Sequence, residues 1–140
     1  MLMMAIMIIG CKDDETPAPE TSATNALTGS WVTAGGYVKV GSDDVSSDYT
    51  NFKITFSKTN TAQFIYTVEN GGYAFAGITA DTWSFNGSGF TAIQRNSDDV
   101  VMNYTITGGF LTLTFTIPDT FEDGRVNGLF GNFEMKLKKI

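Results

Sequence analysis

Residues 109–118, GFLTLTFTIP, put Leu111, Leu113, Phe115 and Ile117 on one side of an extended chain and Thr112, Thr114 and Thr116 on the other, and Pro118 ends the run. A period of two is what a strand with one buried face requires, whereas a helix would need apolar residues every three or four positions. The same pattern recurs along the chain. Residues 51–57 turn Phe52, Ile54 and Phe56 inward, residues 133–139 turn Phe133, Met135 and Leu137, and residues 100–106 turn Val100, Met102, Tyr104 and Ile106. Trp83 and Phe85 share a side in residues 81–86. With residues 30–40, 62–68 and 89–95 this predicts eight strands. Turn-forming residues at 57–61, 86–89, 95–99 and 107–109 separate them, and a helical turn fits within 71–80. Strands joined by short loops pair antiparallel. The expected fold is therefore all-β, an antiparallel up-and-down meander of about eight strands that closes into a barrel and so removes its exposed edges. A two-sheet sandwich is the alternative packing.

A chain of 140 residues holds one such domain. Eleven Phe, five Tyr and two Trp supply the bulk that a small core needs. The formal net charge is −6, and the nine Lys and Arg form no dense basic cluster, which argues against nucleic acid as a partner. His is absent, removing the commonest general base and metal ligand, and a single Cys excludes both an internal disulfide and a Cys-based zinc site.

That cysteine stands between two contrasting segments. Residues 1–9, MLMMAIMII, are uncharged and apolar but far short of the roughly 20 residues of a membrane-spanning helix. They have the character of the apolar region of a secretory signal. Ile8, Ile9, Gly10 and Cys11 follow in an order that resembles the lipobox of bacterial lipoproteins, with Ile in place of the commoner Leu at the first position. The resemblance implies a signal peptide over 1–10, cleavage before Cys11 and lipid attachment to its thiol. No Lys or Arg precedes the apolar run, so the natural start is expected a few residues upstream. Lys12, Asp13, Asp14 and Glu15 are similar to the acidic export signal behind the lipidated Cys in surface lipoproteins of the Bacteroidota; an ordinary solvated charge run is the alternative. Residues 11–26, rich in Pro, Thr, Ser and Ala, then read as a flexible tether. The expected location is the outer membrane, held by lipid and displayed on the cell surface.

Residues 27–140 resemble the lipocalin-like lipoprotein domains. The resemblance rests on Leu27-Thr28-Gly29-Ser30-Trp31, on the order of the strand pair at 52–66, the Trp strand and turn at 81–89, the hairpin at 104–115, and the ending Met135-Lys136-Leu137-Lys138-Lys139-Ile140. It implies a calycin barrel with Trp31 plugging the closed end, beneath a cation for which Lys136 or Lys138 is the nearest candidate. It implies shape more than activity.

Chemical candidates are few. Asp43, Asp44 and Asp48 form one acidic loop and Asp119, Glu122 and Asp123 another, yet neither has the ligand spacing of a calcium-binding loop. Asp98 and Asp99 are neighbours on a turn and do not face each other across a cleft, as glycoside hydrolysis requires. No nucleophile elbow or phosphate loop is present. The chain therefore reads as a non-enzyme without metal or cofactor. The remaining candidates are aromatic: Tyr37, Tyr49, Tyr66, Tyr73, Phe75 and Phe121, at loops or strand ends, where they would cover an apolar or glycan-derived ligand at the open end of the barrel. The alternatives are an accessory role, binding a protein partner of an outer-membrane complex, and a barrel filled by its own side chains.

Overall fold

A computed structural model describes residues 16, 18–118 and 130–140. Its architecture is the expected barrel. Eight antiparallel strands close on themselves: β1 (Gly29–Val40), β3 (Lys53–Lys58), β4 (Phe64–Glu69), β5 (Ala80–Phe85), β6 (Ala92–Arg95), β7 (Val101–Thr107), β8 (Phe110–Ile117) and β9 (Gly131–Lys139). Pairing of β1 with β9 completes the ring, and a two-residue strand, β2 (Asp43–Asp44), adds to the end of β1. The sandwich is thereby excluded. Each strand pairs with its sequence neighbour, so the turns decide the register. At 107–110 Gly108 and Gly109 both have positive φ, +60° and +80°, the conformation of the tight hairpin turn whose twist matches its strands.

One bend makes closure possible. Between Val32 and Tyr37 the β1–β9 register shifts, because four residues of β1 bulge opposite one of β9. Gly36 lies so close to β9 that a Cβ there would stand 1.7 Å from the carbonyl oxygen of Lys136. Only glycine fits this contact.

The register defines two ends. At the base lie the start of β1, the turns 59–63, 86–91 and 108–109, and the end of β9, where Trp31 pairs with Lys139 and Phe110 with Lys138. At the rim lie residues 41–52, the connection 70–79, the turn 96–100 and the approaches to residues 119–129.

The base is closed by an element absent from the sequence reading. Residues 19–26, the last part of the expected tether, instead join Leu27 in helix α1 (Pro19–Leu27). Pro19 presets the first helical turn and Glu20 complements the positive helix start. Leu27 is fully buried, and Trp31 Nε1 donates a 2.8 Å hydrogen bond to the Leu27 carbonyl. The packed domain therefore begins near Pro19. The aliphatic and aromatic side chains of the strands' inward faces form one continuous cluster from Leu27 at the base to Tyr49 at the rim.

Candidate functional site

The rim is where the structure departs from an open cup. The connection between β4 and β5 carries a short 3-10 turn, Gly72–Phe75, in the stretch where the sequence had room for one. It folds inward. Phe75 is fully buried, with its ring centroid 5.4 Å from Phe52, 6.2 Å from Tyr66 and 6.0 Å from Phe115. Left-handed backbone at Asn70, Gly72, Ala76 and Gly77 makes the tight reversal that this insertion needs. The space where an apolar ligand would sit thus holds the protein's own phenyl ring.

The plug is locked by a residue the sequence reading did not single out. Arg95, the last residue of β6, is completely buried. Its Nε donates to Asp98 Oδ1 at 2.9 Å, its Nη2 donates to Asp98 Oδ2, and its Nη1 donates to the Ala74 carbonyl at 2.6 Å. The guanidinium lies 5.0 Å from the centroid of Phe75 and 5.9 Å from that of Phe115. The signal was parity: Ile93 and Arg95 share the inward side of β6, but next to Asn96, Ser97, Asp98 and Asp99 the arginine read as part of a polar turn. Among the described residues every buried polar side-chain atom has a hydrogen-bond partner.

The sequence candidates scatter across this framework and do not converge on one pocket. Trp31 is fully buried at the base, and the cation over its ring is Lys139, 5.0 Å from the centroid, rather than Lys136 or Lys138. The reason is parity again, since Lys138 and Lys136 point to the outer wall and Lys139 turns back across the end of the barrel. Tyr37 lies on the outer wall, its hydroxyl donating to Glu134 and its ring under Lys39. The bond to Glu134, followed by partial burial, raises the Tyr37 pKa. Tyr49 and Tyr66 are core residues. Tyr49 meets Phe52 and Phe133 edge-on, and burial lifts its pKa. Burial raises Tyr66 much further, with its hydroxyl 3.4 Å from Asp81 Oδ2. Tyr73 is 59% exposed at the tip of the plug. Phe121, the acidic residues Asp119, Glu122 and Asp123, and the N-terminal Cys11, Lys12, Asp13, Asp14 and Glu15 lie outside the described residues.

The acidic loop at 43–48 is used internally: Asp44 Oδ1 accepts the Ser46 N–H at 2.9 Å, and Ser46 holds that carboxyl below the usual range. Among the described residues no group of three or more metal-ligating side chains converges.

An open groove of about 740 Å³ runs along the rim, on the outer wall where β7, β8 and β9 meet. Register places Asn103, Thr114 and Glu134 in one outward row and Thr116 with Asn132 in the next. Asp98 and Asp99 stand at one end, and Phe115 and Phe133, stacked with centroids 5.3 Å apart, close the inner side. The carboxylates are held in place, Asp98 by Arg95, Asp99 by Gln94 Nε2 at 2.8 Å and Glu134 by Tyr37. Amides, hydroxyls and fixed acceptors on one outward face can bind neighbouring hydroxyl groups of a polyol. Compared with known protein families and with curated proteins, the chain finds no match.

Proposed function

We propose that this chain is a lipid-anchored lipoprotein of the cell envelope, with a lipocalin-like barrel that binds a glycan-derived ligand in the rim groove and does no catalysis. The observation that carries the binding reading is the contrast between the two candidate spaces. The barrel interior is occupied by Phe75 and its aromatic neighbours, whereas the groove is open and sets amides, hydroxyls and fixed carboxylates beside Val100, Val101 and Pro118. That lining favours a polyol over the apolar ligand that an empty barrel would take. The anchor reading rests on Ile8-Ile9-Gly10-Cys11, and surface display on Lys12, Asp13, Asp14 and Glu15.

The binding reading is tested with the full chain carrying Cys11→Ser, screened on a glycan array and followed by saturation-transfer NMR. Saturable binding is expected, weakened at least tenfold in the Asn103→Ala/Thr114→Ala variant. Absence of glycan binding would move the assignment to the accessory reading, binding of an outer-membrane protein partner, which the exposed Tyr73 at the rim favours. Labelling with a palmitate analogue should tag the wild type and not Cys11→Ala, and equal labelling would remove the anchor. Protease shaving of whole cells tests display, with full protection counting against it.

A further inference from the structure

Charge and apolar surface are separated along the barrel axis. The rim carries Asp43, Asp44, Asp48, Glu69, Asp98 and Asp99, all exposed. The base carries Lys58, Lys138 and Lys139, all exposed, and Lys136 one row above them. Among the described residues the ion pairs are Lys53–Glu69 and Arg95–Asp98, and neither uses a base lysine. Among the described residues the opposing charge on the elements that meet at the base is Glu20 in α1.

Three of the base lysines lie over aromatic rings. Lys58 Nζ lies 5.2 Å from the Phe64 centroid, Lys136 Nζ 4.7 Å from that of Phe110 and Lys139 Nζ 5.0 Å from that of Trp31. Phe64, Phe85, Phe90 and Phe110 are half-buried at this end, and Ile140, bonded through its N–H to the Ser30 carbonyl, is 72% exposed. Ammonium groups beside partly exposed phenyl rings combine the electrostatic and apolar contacts by which protein surfaces bind anionic bilayers.

We infer that the base of the barrel docks on an anionic lipid-headgroup surface, so that the rim groove points away from the bilayer. The inference rests on the anchor reading for its setting, because the chain from Cys11 reaches the domain through α1, which packs on the base. The net charge of −6 does not oppose it. A strand of eight or nine tilted residues spans about 20 Å along the axis. The Debye length is about 8 Å at physiological salt, so the rim carboxylates are screened from a surface that the base touches. A lysine close to an anionic bilayer strengthens binding about fivefold.

The test uses the processed chain, residues 11–140 with Cys11→Ser, so that neither the apolar signal run nor a lipid is present, in co-sedimentation with vesicles of phosphatidylcholine alone or with 30% phosphatidylglycerol (on the order used to mimic an anionic leaflet). Binding to the anionic vesicles only is expected, weakened at least tenfold when salt is raised from roughly 0.05 to 0.5 M. Lys58→Gln/Lys136→Gln/Lys138→Gln should weaken it roughly a hundredfold, and Lys39→Gln/Lys53→Gln, nearer the rim, should leave it within about twofold. Thermal melts confirm that both variants fold. Equal binding to both vesicle types, or equal loss in the two variants, would overturn the proposal. So would binding that appears only after Asp13, Asp14 and Glu15 are neutralised, since the chain's own acidic run would then be what covers the base. Palmitate labelling reports on Cys11 alone, so failure of the anchor and failure of the base are told apart.

Discussion

Tyr66 shows how the surroundings of one side chain set the pH range of the fold. Its hydroxyl is buried between Phe56, Phe75 and the Arg95 cluster, and burial is the first cause of its raised pKa, with the Asp81 and Asp98 carboxylates adding to it. The folded state keeps the phenol neutral while the unfolded chain ionises near pH 10. The stability from this group is therefore complete below about pH 10 and lost as pH rises through the folded value, at up to about 1.4 kcal/mol per pH unit. Tyr66→Phe should move the alkaline unfolding midpoint upward, measured by far-UV circular dichroism. Asp81 acts at the other extreme. Burial alone would raise its carboxyl, but bonds from Ser97, Thr82 and Tyr66 outweigh that and lower it. Its contribution is present above about pH 4 and is lost as pH falls through the lowered folded value, so Asp81→Asn should flatten the acid limb of the stability curve. Gly36 is limited by contact rather than by charge. Gly36→Ala should destabilise the fold by about 2 kcal/mol or more, read as a lowered urea midpoint, because the methyl group meets β9 backbone that cannot move without opening the β1–β9 seam.

At the scale of elements, the plug at Gly72–Phe75 and helix α1 have opposite histories in the sequence. The plug was legible as a helical turn within 71–80, but not its destination, since a Gly-rich stretch with Tyr73 and Phe75 looks the same whether it faces solvent or the core. Phe75→Ala should cost about 3–5 kcal/mol in chemical denaturation and leave a cavity ringed by Phe52, Tyr66 and Phe115. Helix α1 was hidden because Pro, Thr, Ser and Asn dominate its composition, and it offers only Thr24 and Leu27 to the barrel. Packing on a finished base supplies what propensity does not. Leu27→Ala should therefore lower stability by about 2–3 kcal/mol and raise hydrogen exchange across α1 first.

At the scale of the molecule, each strand pairs with its sequence neighbours until β9 returns to β1, so the last contact joins residues about a hundred positions apart. A closed ring with one core should open as a unit. Fluorescence of Trp31→Phe and Trp83→Phe, each reporting on the remaining indole, should then give urea transitions that coincide with the circular dichroism of the same variant. Separate midpoints would show that base and wall unfold independently. The eight strands and their inward faces could be read from the sequence by itself, because a period of two and turn residues such as Gly108-Gly109 act locally and depend on no distant partner. The remaining features needed closure. That Phe75 fills the barrel, that Arg95 is a buried lock, that Lys139 covers Trp31 and that the groove lies on the outer wall all follow from which side chains the ring brings together across long sequence distances. Local pattern specifies which way a side chain points; only the closed barrel decides what it meets there.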